Sequence, residues 1–143
     1  MPPVRFAFPM TARYGLPMLV TLRDETASGS VTNELTLDVL DETLTVRELI
    51  RSRLYQEVQD FNLKIRTADV AFNGLVQPER VPGVSGRREV DFAAQFKTAC
   101  DAFERNGFFV LVGDRQAESL DDTVTLKHDT IVSFVKLTPL VGG

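Results

Sequence analysis

The sequence predicts an α+β domain in which a helix lies across one face of a mixed sheet. Three observations carry this. Two strand patterns, at 18–23 and 34–40, flank a turn-rich stretch. A capped amphipathic helix starts directly after them, at Thr45. Two further strand patterns, at 108–112 and 130–137, close the chain.

Val4 to Phe8 is bracketed by prolines and reads as a short edge strand, because proline cannot donate to an interior ladder. Met10 to Pro17 reads as loop. Met18 to Arg23 is a strand candidate, and Asp24 to Asn33 holds Gly29 between two serines and reads as a turn. Glu34 to Val39 alternates strictly, with Leu35, Leu37 and Val39 on one face. The pair 18–23 and 34–40 therefore reads as a hairpin.

Thr45 followed by Glu48 fits a capping box, in which each side chain satisfies a free backbone N–H of the first turn. Val46, Leu49, Ile50, Leu54, Val58 and Phe61 then recur at helical spacing, with Arg47, Arg51 and Glu57 on other faces. This helix should end near Phe61 or Asn62. Residues 62–90 hold Asn73-Gly74, Pro78, Pro82, Gly83 and Gly86 and read as a long connection, with one short strand at Val70 to Phe72. A second helix starts at Asp91 as N-cap, places Phe92, Phe96, Ala99, Cys100 and Phe103 on one stripe, and stops at Asn106-Gly107.

Phe108 to Val112 is apolar on both faces, as an interior strand under a helix would be, and Gly113-Asp114 ends it. Ser119 to Leu126 reads as a polar loop with a short strand, Lys127-His128-Asp129 as a turn, and Thr130 to Leu137 as the final strand.

Composition narrows the function classes. The chain has 143 residues, 43% of them apolar and 25% charged, the balance of one ordinary globular domain. Its net charge of -4 argues against a dedicated nucleic-acid binder. No apolar run approaches the ~18 residues that cross a bilayer. One Cys and one His allow no internal disulfide and no Cys/His metal cage. Residues 1–9 hold three prolines and no apolar core of a signal peptide, so a cytoplasmic protein without metal, cofactor or membrane contact is expected.

The most informative segment is the end, Thr138-Pro139-Leu140-Val141-Gly142-Gly143. A strand leads straight into it, and its last two residues have no side chains. Such a stalk presents a carboxylate that can thread a constriction rejecting any Cβ. A carboxylate is inert toward amines and sulfur until its oxygen becomes a good leaving group. Adenylation by ATP in a partner enzyme achieves that, and a thiol, persulfide or amine can then attack the mixed anhydride. On this reading the protein is a substrate and carrier, not an enzyme.

Val110 to Arg115, the turn at Lys127 to Thr130 and the ending Thr138 to Gly143 resemble the ubiquitin-like β-grasp proteins. The likeness is to the branch holding the molybdopterin synthase small subunit and the thiamine sulfur carrier. Leu35 to Val39 followed by Thr45 to Leu49 is similar to the second strand and helix start of that family. The resemblance spans 18–62 and 108–143. It implies a β-grasp fold ending in a flexible tail, 138–143; the chain departs from compact family members by an N-terminal extension, 1–17, and an insertion with a second helix, 62–107. The resemblance also implies that Gly143 is the activated residue, preceded by Gly142, with Pro139, Leu140 and Val141 read by the partner. The implied partners are an adenylating enzyme of the ubiquitin-activating type, a conjugating enzyme and a deconjugating protease. The size of the insertion favours a bacterial protein modifier. The alternatives are a sulfur carrier ending in a thiocarboxylate, and a noncovalent interaction module in which Gly-Gly is incidental.

Other candidates have plainer readings. Cys100, on the apolar helix face, reads as core. His128 reads as surface turn, the Glu118, Asp121, Asp122 group as a solvated loop, and Arg87-Arg88 likewise. Phe92, Phe96, Phe103, Phe108 and Phe109 read as core, or as an interface for homo-oligomers where exposed. Lys64, Lys97, Lys127 and Lys136 are the lysines that can accept another copy.

Overall fold

The computed structural model describes residues 18–39, 41–65, 72, 74–78 and 89–137. The expected strand at Val4 to Phe8, the Val70-Ala71 part of the expected strand before Phe72, Arg87-Arg88 and the 138–143 tail lie outside these residues.

The first strands, β1 (Met18–Thr26) and β2 (Val31–Val39), pair antiparallel from Met18↔Val39 onward. The turn between them is shorter than the Asp24 to Asn33 stretch suggested. It needs only residues 27–30, because Gly29 takes φ +95° and its N–H bonds to Thr26 O at 2.9 Å. The polar residues on either side stay in the ladder, with an irregularity between Asp24 and Glu25. β3 (Thr43–Thr45) follows, then α1 (Val46–Lys64).

The capping box at Thr45 forms as expected. Glu48 N–H donates to Thr45 Oγ1 at 3.1 Å and Thr45 N–H donates to Glu48 Oε1 at 2.8 Å. Two more first-turn N–H groups, those of Val46 and Arg47, donate to Asp122 O and Leu120 O, each at 2.9 Å. The loop that holds Leu120 and Asp122 thereby satisfies orphan donors at the helix start. α1 runs past Phe61 to Lys64, because no Gly or Pro interrupts Asn62-Leu63-Lys64, with the Ile65 N–H closing on Phe61 O at 3.0 Å.

α2 (Phe92–Glu104) is capped by Asp91, whose carboxylate accepts from Ala94 N–H at 3.0 Å. It ends at Asn106, in the left-handed region at φ 62°, with Gly107 N–H to Ala102 O and Asn106 N–H to Phe103 O. That pair of bonds is a Schellman stop. Its buried stripe is Gln95, Ala99, Cys100, Ala102 and Phe103. Phe92 and Phe96 are only half-buried. They stack at 5.9 Å, and Phe92 meets Tyr55 of α1 edge-on at 5.7 Å.

β4 (Phe108–Val112), β5 (Arg115–Gln116), β6 (Thr123–Thr125) and β7 (Ile131–Lys136) complete the chain. The main sheet has the order β2-β1-β7-β4-β5, and β3 pairs with β6 in a small second sheet. β1 and β7 are parallel and the other pairings are antiparallel, so the sheet is mixed and the α+β expectation holds. β4 is interior, as its two-sided apolarity implied.

One face carries the core. Val20, Leu22, Leu37, Val39, Phe108, Val110, Val132 and Phe134 are buried against Val46, Leu49, Ile50 and Leu54 of α1 and Ala99 and Phe103 of α2. Leu75 and Val76 join the same cluster. Opposite the core, Arg23 pairs with Glu34 at 2.7 Å, on register partners of β1 and β2.

Candidate functional site

The predicted site residues Pro139, Leu140, Val141, Gly142 and Gly143 lie outside the described residues. What the structure gives is the platform from which they leave. β7 sits between β1 and β4, parallel to the first and antiparallel to the second. The chain therefore reaches its last residues from the interior of the sheet, not from a loose edge. Beyond Lys136, Leu137 N–H donates to Gly107 O at 3.2 Å, while the Leu137 side chain is exposed.

A buried charge cluster lies beneath this exit. Strand alternation puts Val20, Leu22 and Asp24 of β1 on the core face, so a carboxylate occupies a core position. Helical spacing puts Arg53 and Glu57 of α1 beside it. Arg53 is fully buried, and its guanidinium donates to both Asp24 oxygens, at 2.5 and 2.8 Å. It also donates twice to Glu57 Oε2, at 2.9 and 3.1 Å, and lies 4.6 Å above the Phe134 ring. Lys136, at the end of β7, holds its ammonium 3.6 Å from Asp24 Oδ2 and donates to Gly74 O at 3.5 Å. Glu57 Oε1 accepts from Leu75 N–H at 3.2 Å.

Two carboxylates thus meet one guanidinium and one ammonium, and the four formal charges cancel. Burial alone would push the Asp24 carboxyl up. The hydrogen bonds and charge of Arg53, with Lys136 further off, outweigh it and hold Asp24 below the usual carboxylate range. Burial likewise opposes the charge on Arg53, and Glu57 and Asp24 together reverse the effect, holding the guanidinium firmly protonated. Asp24 and Arg53, each holding the other in its charged form, do no acid–base work near neutral pH. The cluster fastens β1, α1, β7 and the 74–75 segment at the root of the tail.

The remaining candidates fall into structural roles. Cys100 is buried, and burial pushes its thiol up, away from nucleophilic thiolate. His128 is exposed in the turn closed by Thr130 N–H on Lys127 O. Asp122 accepts from the N–H groups of Glu118 and Ser119, at 2.8 and 3.0 Å, and Asp121 pairs with Arg47 at 3.1 Å. That acidic group is therefore spent on building a turn. Among the described residues, no group of three or more His, Cys, Asp or Glu is placed to hold a metal. A shallow cavity of about 220 Å³, lined by Phe103, Asn106, Phe108, Phe109, Gln116, Ala117 and Glu118, opens beside β5. No helix among these residues is long and apolar enough to cross a membrane.

Reading the sequence alone misses Arg53 and places Glu57 on an outer face. The signal was present. Position 53 completes the stripe of Val46, Leu49 and Ile50, and Glu57 follows it by one helical turn. Asp24 likewise keeps the parity of Val20 and Leu22. Charged residues at core-parity positions in two separate elements are the mark of a buried pair.

No family model matches this chain, and no curated protein or solved structure is similar to it.

Proposed function

We propose that this chain is a ubiquitin-like β-grasp protein modifier. Its Gly143 carboxylate is adenylated by an ATP-dependent activating enzyme and then joined to an amine of a target, directly or through a conjugating enzyme. The observation that carries the reading is the placement of β7. An interior strand, parallel to β1 and covered by α1, runs directly into a seven-residue segment from Leu137 to Gly142-Gly143. The strand order β2-β1-β7-β4-β5, with a helix following the first hairpin, is compatible with a β-grasp.

The charge cluster supports the same reading from the physical side. A partner that pulls a tail through a narrow channel works against the root of that tail. Here the root is held by ladders on both sides of β7 and by Lys136 bound to a buried carboxylate. The platform keeps its shape while the last residues thread.

Intact mass after incubation with ATP and the activating enzyme of the source cell tests the proposal. An amide-linked adduct at Gly143 is the expected product. Exchange of one carboxylate oxygen for sulfur would make the protein a sulfur carrier instead. An unchanged mass, with cellular activity surviving deletion of Gly142-Gly143, would leave only a noncovalent module and end the proposal.

A further inference from the structure

We infer that residues 1–17 of this chain fold back over the face of the sheet turned away from the helices and cover it in the free protein. A partner that uses this face must first displace them. The inference stands apart from the reading of Gly143, because it concerns only the sheet and the segment before β1.

Both helices pack on the core face. The strand registers set what the other face carries. Phe109 of β4 stands beside Val135 of β7, and Val135 beside Glu25 of β1. One row on, Leu111, Ser133, Arg23 and Glu34 follow each other across four strands. Ile131, Thr21 and Thr36 make the next row, and Leu19 and Asp38 the last. The β4–β7 half is therefore apolar, and Phe109, Leu111, Ile131 and Val135 are all only half-buried. Four large apolar residues are exposed among the described ones, and three of them belong here. Leu19 (58%) stands in the last row, Leu137 (41%) keeps the parity of Ile131 and Val135, and Val31 (52%) is brought opposite Glu25 by the irregularity in the β1–β2 register. Single exposed apolar residues need no explanation, but a contiguous set marks a surface that binds something.

The β1–β2 half is acidic. It carries Glu25, Glu34 and Asp38 against a single Arg23, which Glu34 already holds at 2.7 Å. The occupant must bring apolar side chains to one half and positive charge to the other. A second copy brings the same excess of acid, so it fits less well.

Residues 1–17 meet both demands. They hold Val4, Phe6, Phe8, Met10, Tyr14 and Leu16, with Arg5 and Arg13 and no Asp or Glu, in a chain of net charge -4. Val4, Phe6 and Phe8 fall on one side of an extended chain, as laying it on an apolar surface requires. Pro2, Pro3, Pro9 and Pro17 remove backbone donors. They count against adding the segment to the β2 edge as a further strand and leave side-chain packing as its means of attachment. The segment joins β1 at Met18, next to Leu19 on the margin of this face. Five strands at ~4.8 Å spacing span about 20 Å, and an extended segment of this length reaches about 55 Å at ~3.3 Å per residue, so the whole face is within range.

A nitroxide attached to Ala7→Cys in the full chain provides the test. Cys100 is buried and stays unlabelled in the native protein. The expected result in a nitrogen-15 spectrum is loss of the amide signals of Leu111, Ser133 and Val135 by paramagnetic broadening, while those of Tyr55 and Phe96 on the helical side are kept. Phe6→Ser with Phe8→Ser in the labelled chain should restore the lost signals. Neither residue belongs to the described core, and unchanged shifts of Val20 and Phe108 show that the fold is intact. Sheet signals that stay sharp, or losses spread equally over the helices, would overturn the inference. So would broadening that Phe6→Ser with Phe8→Ser leaves unchanged, because tethering at Met18 would then explain it. Equal broadening in a mixture of spin-labelled and isotope-labelled copies would give the face to the segment of another copy, which also overturns it. No activating enzyme enters the experiment, so neither result touches the reading of Gly143.

Discussion

The buried cluster makes the sharpest prediction. Asp24→Asn keeps the shape of the side chain and removes its charge. Arg53 then loses its charge partner at 2.5 and 2.8 Å and keeps only Glu57, while Lys136 loses the carboxylate 3.6 Å away. Breaking one partner out of a buried ion pair costs about 3–5 kcal/mol. Because Glu57 still neutralises Arg53, the lower end applies, about 3 kcal/mol. With a urea m-value of about 2 kcal/mol/M, the unfolding midpoint should fall by about 1.5 M. Arg53→Met should cost a similar amount, since it leaves Asp24 facing the core with Lys136 as its charged neighbour. The double variant should cost less than the sum by about 1–3 kcal/mol, because residues in one network do not add. The wild-type acid limb follows from the same cluster. Asp24 titrates below its ordinary value when folded, so the unfolded chain binds its proton first as pH falls. The stabilisation is complete above about pH 4 and is lost as pH drops through the lower folded value. Asp24→Asn should flatten that part of the profile. A midpoint shift under about 0.5 M in Asp24→Asn, or additive single variants, would refute the account of a closed, mutually dependent cluster.

Two further outcomes can be checked in the same buffer. Thr45→Ala removes the acceptor for Glu48 N–H and half of the capping box, and should lower unfolding free energy by about 1 kcal/mol without changing the m-value. Cys100 should react slowly with iodoacetamide in the native protein and at ordinary thiol rates in urea, because burial both shields the sulfur and raises its pKa. Fast native labelling would mean that α2 leaves its place on the core.

Much of the fold was legible because local rules and global placement agree. The β1–β2 hairpin, the capping box at Thr45, the Asp91 cap and the Asn106-Gly107 stop are set by residues within a few positions of each other, and each one forms. The readings that slipped depend on distant partners. Asp24 and Asn33 look like turn residues by type. They stand in the ladder because β1 and β2 pair through Asp24↔Asn33, and because Arg53 in α1 neutralises a carboxylate facing the core. Phe92 and Phe96 look like core by hydropathy. They are half-buried because α2 presents Gln95 to the interior, where its amide donates to Val76 O at 2.9 Å. A backbone acceptor in a segment without helix or strand cannot be foreseen from the periodicity of a helix.

That last contact bears on why the chain carries so much between α1 and β4. A sheet of five strands is wide, and α1 reaches Asp24 of β1, the Thr36 carbonyl of β2 and the Phe134 ring of β7. α2 supplies the cover on the β4 side, where Phe103 meets Phe108 at 5.7 Å and Phe108 meets Phe134 at 6.1 Å. Leu75 and Val76 close the gap between the two helices, tied by Glu57 and Gln95. Asn62 exchanges two hydrogen bonds with the backbone of Val90, at 2.8 and 3.0 Å, which brings the end of α1 to the start of α2. The described part of 62–107 therefore belongs to the same single core as the sheet and α1. Gly74 occupies the tightest point of this seam: a Cβ there would meet the Phe72 ring at 2.5 Å and Glu57 Oε1 at 3.1 Å. Glycine lets the chain pass close enough for its carbonyl to reach Lys136 and the next N–H to reach Glu57. The same residues that seat α2 also complete the charge cluster at the end of β7, so Asp24, Arg53, Glu57 and Lys136 are held by both halves of the helical layer.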